Sequence, residues 1–269
     1  MSERAQRFLE LHRAGSPLLM PNAWDVGSAK LFEAQGFEAV ATTSSGFAAT
    51  LGRLDGQVTR DEAIGHAAAL AEAVSVPVSG DLENCFADEP EGVAETVRLA
   101  AEACLAGCSV EDYSGPKSDE IYEPALAAER VAAAVEAARA APSGFVLTAR
   151  AENHVHGGTD LADTISRLQS FQEAGADVLF APGLRSLEEI REVVAAVELP
   201  VNVLVLPGMP SVSELAEAGV SRISVGGSLT YAAYGAALEG ARGLRESGTY
   251  GWGENAGTGA KAVYEAFGA

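Results

Sequence analysis

Eight short apolar segments, each separated from the next by a stretch of helical composition, most constrain how this chain can fold. Apolar strands that alternate with helices are typical of a parallel sheet covered by helices. Eight such units favour closure into a (β/α)8 barrel, with additional helices after the last strand. The predicted strands span residues 18–23, 39–44, 76–81, 108–111, 145–150, 178–181, 201–206 and 223–226.

Glycines mark a repeated junction between helix and strand. Four Ala-rich helical stretches end at a glycine and continue into β-branched residues, at Gly36, Gly107, Gly175 and Gly219. This pattern predicts αβ loops with glycine at the helix C-terminus. No linker-like segment interrupts the chain, so we predict a single domain over residues 1–269. The first predicted strand is not followed by GxGxxG, which argues against a dinucleotide-binding fold.

The net charge of −20 limits the partners of this protein. Phosphate-rich surfaces bind basic patches, so nucleic acid and anionic membranes are not expected as partners. The amino-terminal segment lacks the apolar core of a signal peptide, and no apolar run approaches the roughly 18 residues of a membrane span, so we predict a cytoplasmic protein. A small anionic substrate would need a local cation or metal to attract it.

Acidic residues gather at the carboxyl ends of the third and fourth predicted strands, where barrel enzymes place their active sites. Asp81 and Glu83 are two residues apart and share a face if the strand stays extended, and Glu111 ends the neighbouring strand. Three carboxylates suit Mg2+ or Mn2+. The alternative is that Asp81 or Glu83 caps the following helix or pairs with an arginine.

Arg150 ends the fifth predicted strand, where its guanidinium could bind a carboxylate or phosphonate through two hydrogen bonds. A structural ion pair with a nearby acid is the alternative. His154 and His156 suggest a zinc site, but a loop position outside the site is favoured. Cys85 follows the acidic residues closely and is more simply a small apolar residue than a nucleophile. No lysine is placed inside the barrel, which excludes a Schiff-base aldolase.

Five segments appear in order at the predicted strand ends: PNAWD (21–25), TTSSGFAATLGRLDG (42–56), DLEN (81–84), SVEDYSG (109–115) and TARAEN (148–153). Together they resemble the isocitrate lyase/phosphoenolpyruvate mutase superfamily, most closely its phosphonomutase-like (carboxyvinyl-carboxyphosphonate phosphorylmutase-like) branch. The resemblance covers nearly the whole chain. It implies a Mg2+-dependent enzyme that makes or breaks a C–C or P–C bond of a small 2-keto acid or phosphonate through an enolate-type intermediate.

The resemblance also implies roles for individual residues. Asp81 would bind the metal directly, and Glu83 and Glu111 mainly through water. Asp55 matches the aspartate beside the reacting centre, and Arg150 matches the arginine that binds the anionic group of the substrate. Hydroxyl and backbone groups of four consecutive residues would contact the substrate; these are Thr43, Ser44, Ser45 and Gly46. A homotetramer is implied as well.

Some residues of the known enzymes are missing. The lyases of the superfamily carry K-[KR]-C-G-H after the fourth strand, where this chain reads YSGPKSDEIY (113–122). Lyases also tend to place a glutamate where this chain has Pro182, and the mutases use a lysine and an asparagine in the loop, for which only Lys117 is a counterpart. We expect the loop 113–122 to close over the site. The alternative hypothesis is a catalytically inactive barrel that binds metal and ligand and has a regulatory role.

Overall fold

A computed structural model describes residues 3–268 and confirms the α/β barrel. Nine parallel strands form one sheet in the order β1-β9-β8-β7-β6-β5-β4-β3-β2. The strands are β1 Leu18–Met20, β2 Asn22–Ala23, β3 Val40–Thr42, β4 Val78–Asp81, β5 Gly107–Glu111, β6 Val146–Arg150, β7 Val178–Phe180, β8 Val201–Leu204 and β9 Arg222–Ser224.

The barrel closes through the first predicted strand, which is divided at Pro21. β1 pairs with β9 on one side, and β2 pairs with β3 on the other. Proline has no N–H to give to a ladder, but the Pro21 carbonyl still accepts a hydrogen bond from Ala41 N at 3.0 Å. The prediction of one strand over residues 18–23 is therefore wrong in detail. Its two halves connect the two ends of the sheet and so close the barrel.

Eleven helices are present among residues 3–268. Eight of them, α2–α9, lie between strands in the sequence, and side chains at their N-termini commonly cap them; Asp25, Thr59, Ser186 and Ser211 each form a capping box. The helices are α1 Glu3–Glu10, α2 Val26–Ala34, α3 Ser44–Thr50, α4 Arg60–Ala73, α5 Pro90–Glu102, α6 Pro124–Ala140, α7 Leu161–Glu173, α8 Leu187–Ala196, α9 Val212–Glu217, α10 Ser228–Ser247 and α11 Gly253–Phe267.

Three of the four predicted αβ glycines have the left-handed backbone that a helix C-terminus favours. The φ angles are +86° at Gly36, +96° at Gly175 and +88° at Gly219. Gly107 differs, because it is the first residue of β5 and the left-handed residue after α5 is Cys104. A side chain at Gly107 would place its Cβ 2.3 Å from the carbonyl oxygen of Val146 on the adjacent strand. Close strand packing therefore explains that glycine.

The helix α1 covers the amino-terminal end of the barrel. Phe8 is fully buried and packs with residues at the starts of the strands, among them Leu18, Val146 and Val178. His12 follows α1 and is also buried; its Nδ1 lies 2.8 Å from the carbonyl oxygen of Phe8. Its Nε2 lies 3.2 Å from Nη1 of Arg222. Since a guanidinium only donates, Nε2 must accept, and the ring is neutral with its proton on Nδ1.

The neutral His12 makes stability depend on pH. Burial, and then the positive charge of Arg222, lowers the pKa of His12 to about 3. In the unfolded chain the imidazole of His12 gains a proton at about pH 6.5, whereas in the folded chain it stays neutral until about pH 3. His12 therefore lowers the free energy of unfolding as pH falls from 6.5 toward 3. Between pH 7 and pH 5, we expect the free energy of unfolding of wild type to fall by about 2 kcal/mol more than that of His12→Gln. Urea unfolding at both pH values measures this; equal changes in wild type and His12→Gln would contradict it.

The last two helices lie largely outside the barrel. On α10 the exposed apolar side chains include Tyr231, Tyr234 and Leu238, and on α11 they include Tyr264 and Phe267. α11 contacts α2. Within the part of the chain that the structure describes, no helix is long and apolar enough to cross a membrane.

Candidate active site

The three predicted site residues Asp81, Glu111 and Arg150 end three adjacent strands, β4, β5 and β6. Asp81 is paired in register with Ser109, and Glu111 is paired with Arg150. Parallel strands bring their carboxyl ends to one rim of the barrel. The rim therefore holds these three side chains side by side.

Arg150 is surrounded by carboxylates. Its Nη1 donates to Asp81 Oδ1 at 2.7 Å and lies 3.1 Å from Glu111 Oε2, while Nε and Nη2 reach Glu152 Oε1 at 2.9 and 2.8 Å. The structural ion pair that the sequence left open is thus present. Glu152 was not among the predicted site residues, although it follows the fifth predicted strand by two positions.

Glu83 reaches the rim by a turn rather than along an extended strand. β4 ends at Asp81, and Glu83 has a φ of +51°, so the expected alternation of one strand does not align the two side chains. Cys85 and Phe86 also have left-handed backbones. Such conformations are costly for residues with side chains and persist where neighbouring contacts hold them. Here Arg130 Nη2 donates to the carbonyl oxygens of Asn84 and Ala87 at 2.6 and 3.0 Å.

The rim carries more negative charge than Arg150 balances. Burial, and then Asp55 and Asp81, raises the pKa of Glu83 to about 8. Burial also raises the pKa of Glu111 well above its usual range, against the opposing effect of Arg150. Surrounding protein atoms and then Asp81 raise the pKa of Asp55, although this residue is exposed to water at the mouth of the site, which weakens the effect. The site therefore favours added positive charge.

The oxygen donors at the rim fit a hard divalent cation, but their present arrangement is not a ready-made cage. Among residues 3–268, no three His, Cys, Asp or Glu side chains form a group that could hold a metal ion. Arg150 stands between Asp81 and Glu111, and Asp81 Oδ2 accepts the backbone N–H of Ser44 at 3.0 Å. Mg2+ commonly binds through one or two carboxylates and keeps several waters. Binding to Asp81, with Glu83 and Glu111 acting through water, is compatible with this geometry.

The segment that the sequence assigned to substrate binding follows β3. Thr43 caps α3 and lies 3.3 Å, between hydroxyl oxygens, from Ser45. Thr43, Ser44 and Ser45 line a cavity of about 200 Å³ that also reaches Asp55, Asp81 and Arg150. Gly46 is buried behind them, and its N–H donates to Thr43 Oγ1 at 3.2 Å. A Cβ at Gly46 would lie 2.4 Å from Thr43 Cγ2, so glycine lets the segment pack closely.

The same cavity is lined by polar residues from inside the barrel that were not among the predicted site residues. They come from the strands, or their immediate ends, around the barrel, and they are Asn22, Ser79, Ser109, Asn202, Arg222 and Ser224. The signal that could have found them is a polar residue within an apolar strand. A larger groove of about 1150 Å³ lies on the outer surface between α5 and α6, away from the rim, and alanines contribute much of its lining.

Asp112 and Arg167 form an ion pair that holds the backbone of Glu152, the partner of Arg150. Asp112 Oδ1 accepts the backbone N–H of Glu152 at 2.7 Å, and its Oδ2 accepts from Arg167 Nη1 at 3.0 Å. Arg167 Nη1 also donates to the carbonyl oxygen of Tyr122, the last residue of the loop 113–122. This connects the partner of Arg150 to the end of the loop.

The loop 113–122 folds back on itself at the rim. Tyr113 forms an isolated antiparallel bridge with Ile121, and its hydroxyl donates to Asp119 at 2.8 Å. The ring of His156 stacks on Tyr113 with centroids 3.7 Å apart, and His156 Nε2 lies 3.8 Å from Glu152 Oε2. His154 instead lies 3.9 Å from Glu189. The two histidines therefore face different groups and do not make a zinc pair, although His156 approaches the site more closely than its loop position suggested.

Cys85 is not suited to nucleophilic attack. Its side chain is fully buried, and burial raises the pKa of the thiol to about 12. A thiol with such a pKa holds its proton at neutral pH. The interpretation of Cys85 as a small apolar residue agrees with this placement.

Fold and rim together define a barrel protein with an oxygen-rich acidic site around one guanidinium at the carboxyl ends of the strands. Residues 8–245 match the phosphoenolpyruvate phosphomutase family, and the chain belongs to that family. This confirms the resemblance to the isocitrate lyase/phosphoenolpyruvate mutase superfamily.

Individual relatives show how far the likeness extends. A solved structure of a candidate lyase/mutase from Burkholderia cenocepacia J2315 is 49% identical, covers 93% of this chain and 90% of its own, and superposes with a TM-score of 0.89. An uncharacterized protein of Mycobacterium tuberculosis is 38% identical over 84% of this chain and 83% of its own length. The 2,3-dimethylmalate lyase of Eubacterium barkeri is 31% identical over 70% of this chain and 66% of its own.

Proposed function

We propose that this protein is a Mg2+-dependent lyase, mutase or hydrolase that makes or breaks a C–C or P–C bond of a small 2-keto acid or phosphonate. The observation that carries the proposal is the cluster of five carboxyl groups around the guanidinium of Arg150 at the rim. Asp81, Glu111 and Glu152 contact the guanidinium, and Asp55 and Glu83 interact with it electrostatically. One cation cannot balance that charge in a partly buried site. One relative is named as a lyase, another as a lyase/mutase and the family as a phosphomutase, which supports the same reaction class.

A bound Mg2+ would be held by Asp81, with Glu83 and Glu111 as outer partners, and would supply positive charge where an enolate oxygen develops. Arg150 would bind the carboxylate of the substrate with a guanidinium that Glu152 and Asp81 keep oriented. Thr43, Ser44 and Ser45 would offer hydroxyl and backbone groups from the opposite side of the cavity. Mn2+ has the same ligand preferences and would substitute.

Asp55 is the residue best placed to hold or move a proton. It lies at the mouth of the cavity, and its raised pKa brings it closer to the neutral range in which proton transfer is efficient. The loop 113–122 contains neither the cysteine nor the histidine of the related lyases. Its folded position at the rim suits a lid that would exclude water from an enolate. Reaction type within the class therefore depends on Asp55 and the lid rather than on a thiol acid.

Metal titration followed by turnover assays tests this function. Purified protein, stripped with a chelator, is titrated calorimetrically with Mg2+, and is then assayed with oxaloacetate and phosphonopyruvate with and without the metal. We expect metal-dependent decarboxylation, C–C cleavage or P–C cleavage of at least one compound. Wild-type protein that neither binds Mg2+ nor turns over a wider panel of keto acids would refute the proposal.

The same experiment separates the alternative hypothesis of an inactive barrel with a regulatory role. Tight binding of Mg2+ and a keto acid without turnover across the panel would favour that alternative. The homotetramer stays a prediction; the exposed apolar residues of α10 and α11 support association between copies.

A further inference from the structure

Arg222 is a second guanidinium of the cavity, and all its hydrogen-bond partners are neutral. The residue belongs to β9 and is 2% exposed. Its Nε donates to Asn202 Oδ1 at 2.9 Å, and its Nη1 lies 3.1 Å from Thr148 Oγ1 and 3.2 Å from His12 Nε2. Nη2 has no partner among residues 3–268. No carboxylate in the described chain pairs with this side chain, in contrast to Arg150.

A buried cation without a counter-ion is energetically unfavourable, so its retention calls for a reason. Burial, and then the charge of Arg150, lowers the pKa of Arg222 to about 9, which still leaves it charged at neutral pH. If its purpose were only to donate hydrogen bonds to its neighbours, the NH2 group of a neutral amide could donate two of the three without a buried charge. The unpaired Nη2 and the neutral surroundings instead leave the full charge available to a ligand.

Arg222 also lies at the right depth for a ligand that already touches Arg150. Its partner Thr148 is two residues before Arg150 on β6, so both point to the same face and are one layer apart, about 7 Å along the strand. Both arginines line the cavity of about 200 Å³. A small molecule in this cavity with an acidic group at each end could therefore contact both arginines.

We propose that Arg222 binds a second carboxylate of the substrate on the floor of the cavity, so that the protein selects small dicarboxylates over monocarboxylates. This assignment rests on the proposed function, in which the first carboxylate is held at the rim. Nη2 donates to the incoming carboxylate, while Asn202, Thr148 and neutral His12 hold the guanidinium in place. Ser109 and Ser224 offer further hydroxyl groups along the cavity.

Calorimetry with L-malate and L-lactate tests the site, because the two 2-hydroxy acids differ by a carboxylate. We expect wild type to bind malate at least about tenfold more tightly than lactate, with Mg2+ present. Arg222→Gln should weaken the binding of malate about 10- to 100-fold, which is the range for a lost charged hydrogen bond. The binding of lactate should be nearly unchanged. Arg222→Lys should retain part of the preference. Arg139→Gln, on the outside of the barrel, is the control.

Several results would overturn this assignment. Wild type that does not bind malate, or that binds malate and lactate equally, excludes a second-carboxylate site without needing any variant. Equal weakening of both ligands by Arg222→Gln indicates a structural role. If Arg222→Gln does not fold, the comparison of malate with lactate in wild type and in Arg222→Lys still tests the proposal. Malate preference without turnover of any keto acid would instead refute the proposed reaction and leave the binding site intact.

Discussion

Replacing Asp81 with asparagine is expected to abolish metal-dependent turnover while the barrel stays folded. Asn has nearly the volume of Asp, and its carbonyl oxygen can still accept from Arg150 Nη1. The variant loses the negative charge that would bind Mg2+ directly, and its NH2 group cannot accept the N–H of Ser44. Loss of residues that only support a metal ligand commonly weakens affinity 10- to 100-fold, so loss of the ligand itself should weaken Mg2+ by at least about 100-fold.

Asp177→Asn is a closely matched control for this experiment. Asp177 also pairs with one arginine, Arg139, and accepts one backbone N–H, from Leu147 at 2.8 Å. It precedes β7 and therefore lies at the other end of the barrel. Calorimetric Mg2+ affinity and turnover should be unchanged in Asp177→Asn and lost in Asp81→Asn. Wild-type metal affinity in a folded Asp81→Asn protein would refute the metal assignment.

The location of the site was predictable because the strands of a (β/α)8 barrel all place their carboxyl ends at one rim. Once the strands are recognised, Asp81, Glu111 and Arg150 must share the carboxyl rim, and the structure places both carboxyl groups in contact with Arg150. The ion pairs among them were left open because spacing in sequence does not specify side-chain distances. Glu152 was visible at a strand end but lacked a signal that distinguished it from a surface acid.

The interior of the barrel was much less predictable. Arg222 falls one residue before the predicted start of the last strand, so a charged residue that belongs to the strand was assigned to the preceding loop. Its partners come from β6, β8 and the segment after α1, up to 210 residues away in sequence. No short-range pattern encodes such convergence. The same holds for Glu83, whose position depends on a left-handed turn that Arg130 stabilises from α6.

Replacing Arg150 with glutamine is the second change with a large expected effect, and it lowers the free energy of unfolding. In Arg150→Gln, Asp81, Glu111 and Glu152 would remain together without their cation. Removing one partner of a buried ion-paired group commonly destabilises a protein by about 3–5 kcal/mol. We expect a loss of that size in the free energy of unfolding at pH 8, measured with urea. Arg98→Gln, which removes a cation from two exposed pairs on α5, should change stability little.

The loss in Arg150→Gln should depend on pH and on divalent cations. Glu83 and Glu111 have raised pKa values in the folded protein, so these two groups bind more protons there than in the unfolded chain as pH rises from about 4.5 to 8. Their contribution to stability therefore falls over that range, and more steeply once Arg150 is gone. Unfolding of the variant at pH 5 should show a smaller deficit than at pH 8, and millimolar Mg2+ at pH 8 should restore part of it, because a cation that binds only the folded state stabilises it. A deficit that neither low pH nor Mg2+ reduces would mean that packing, rather than uncompensated charge, makes Arg150 necessary.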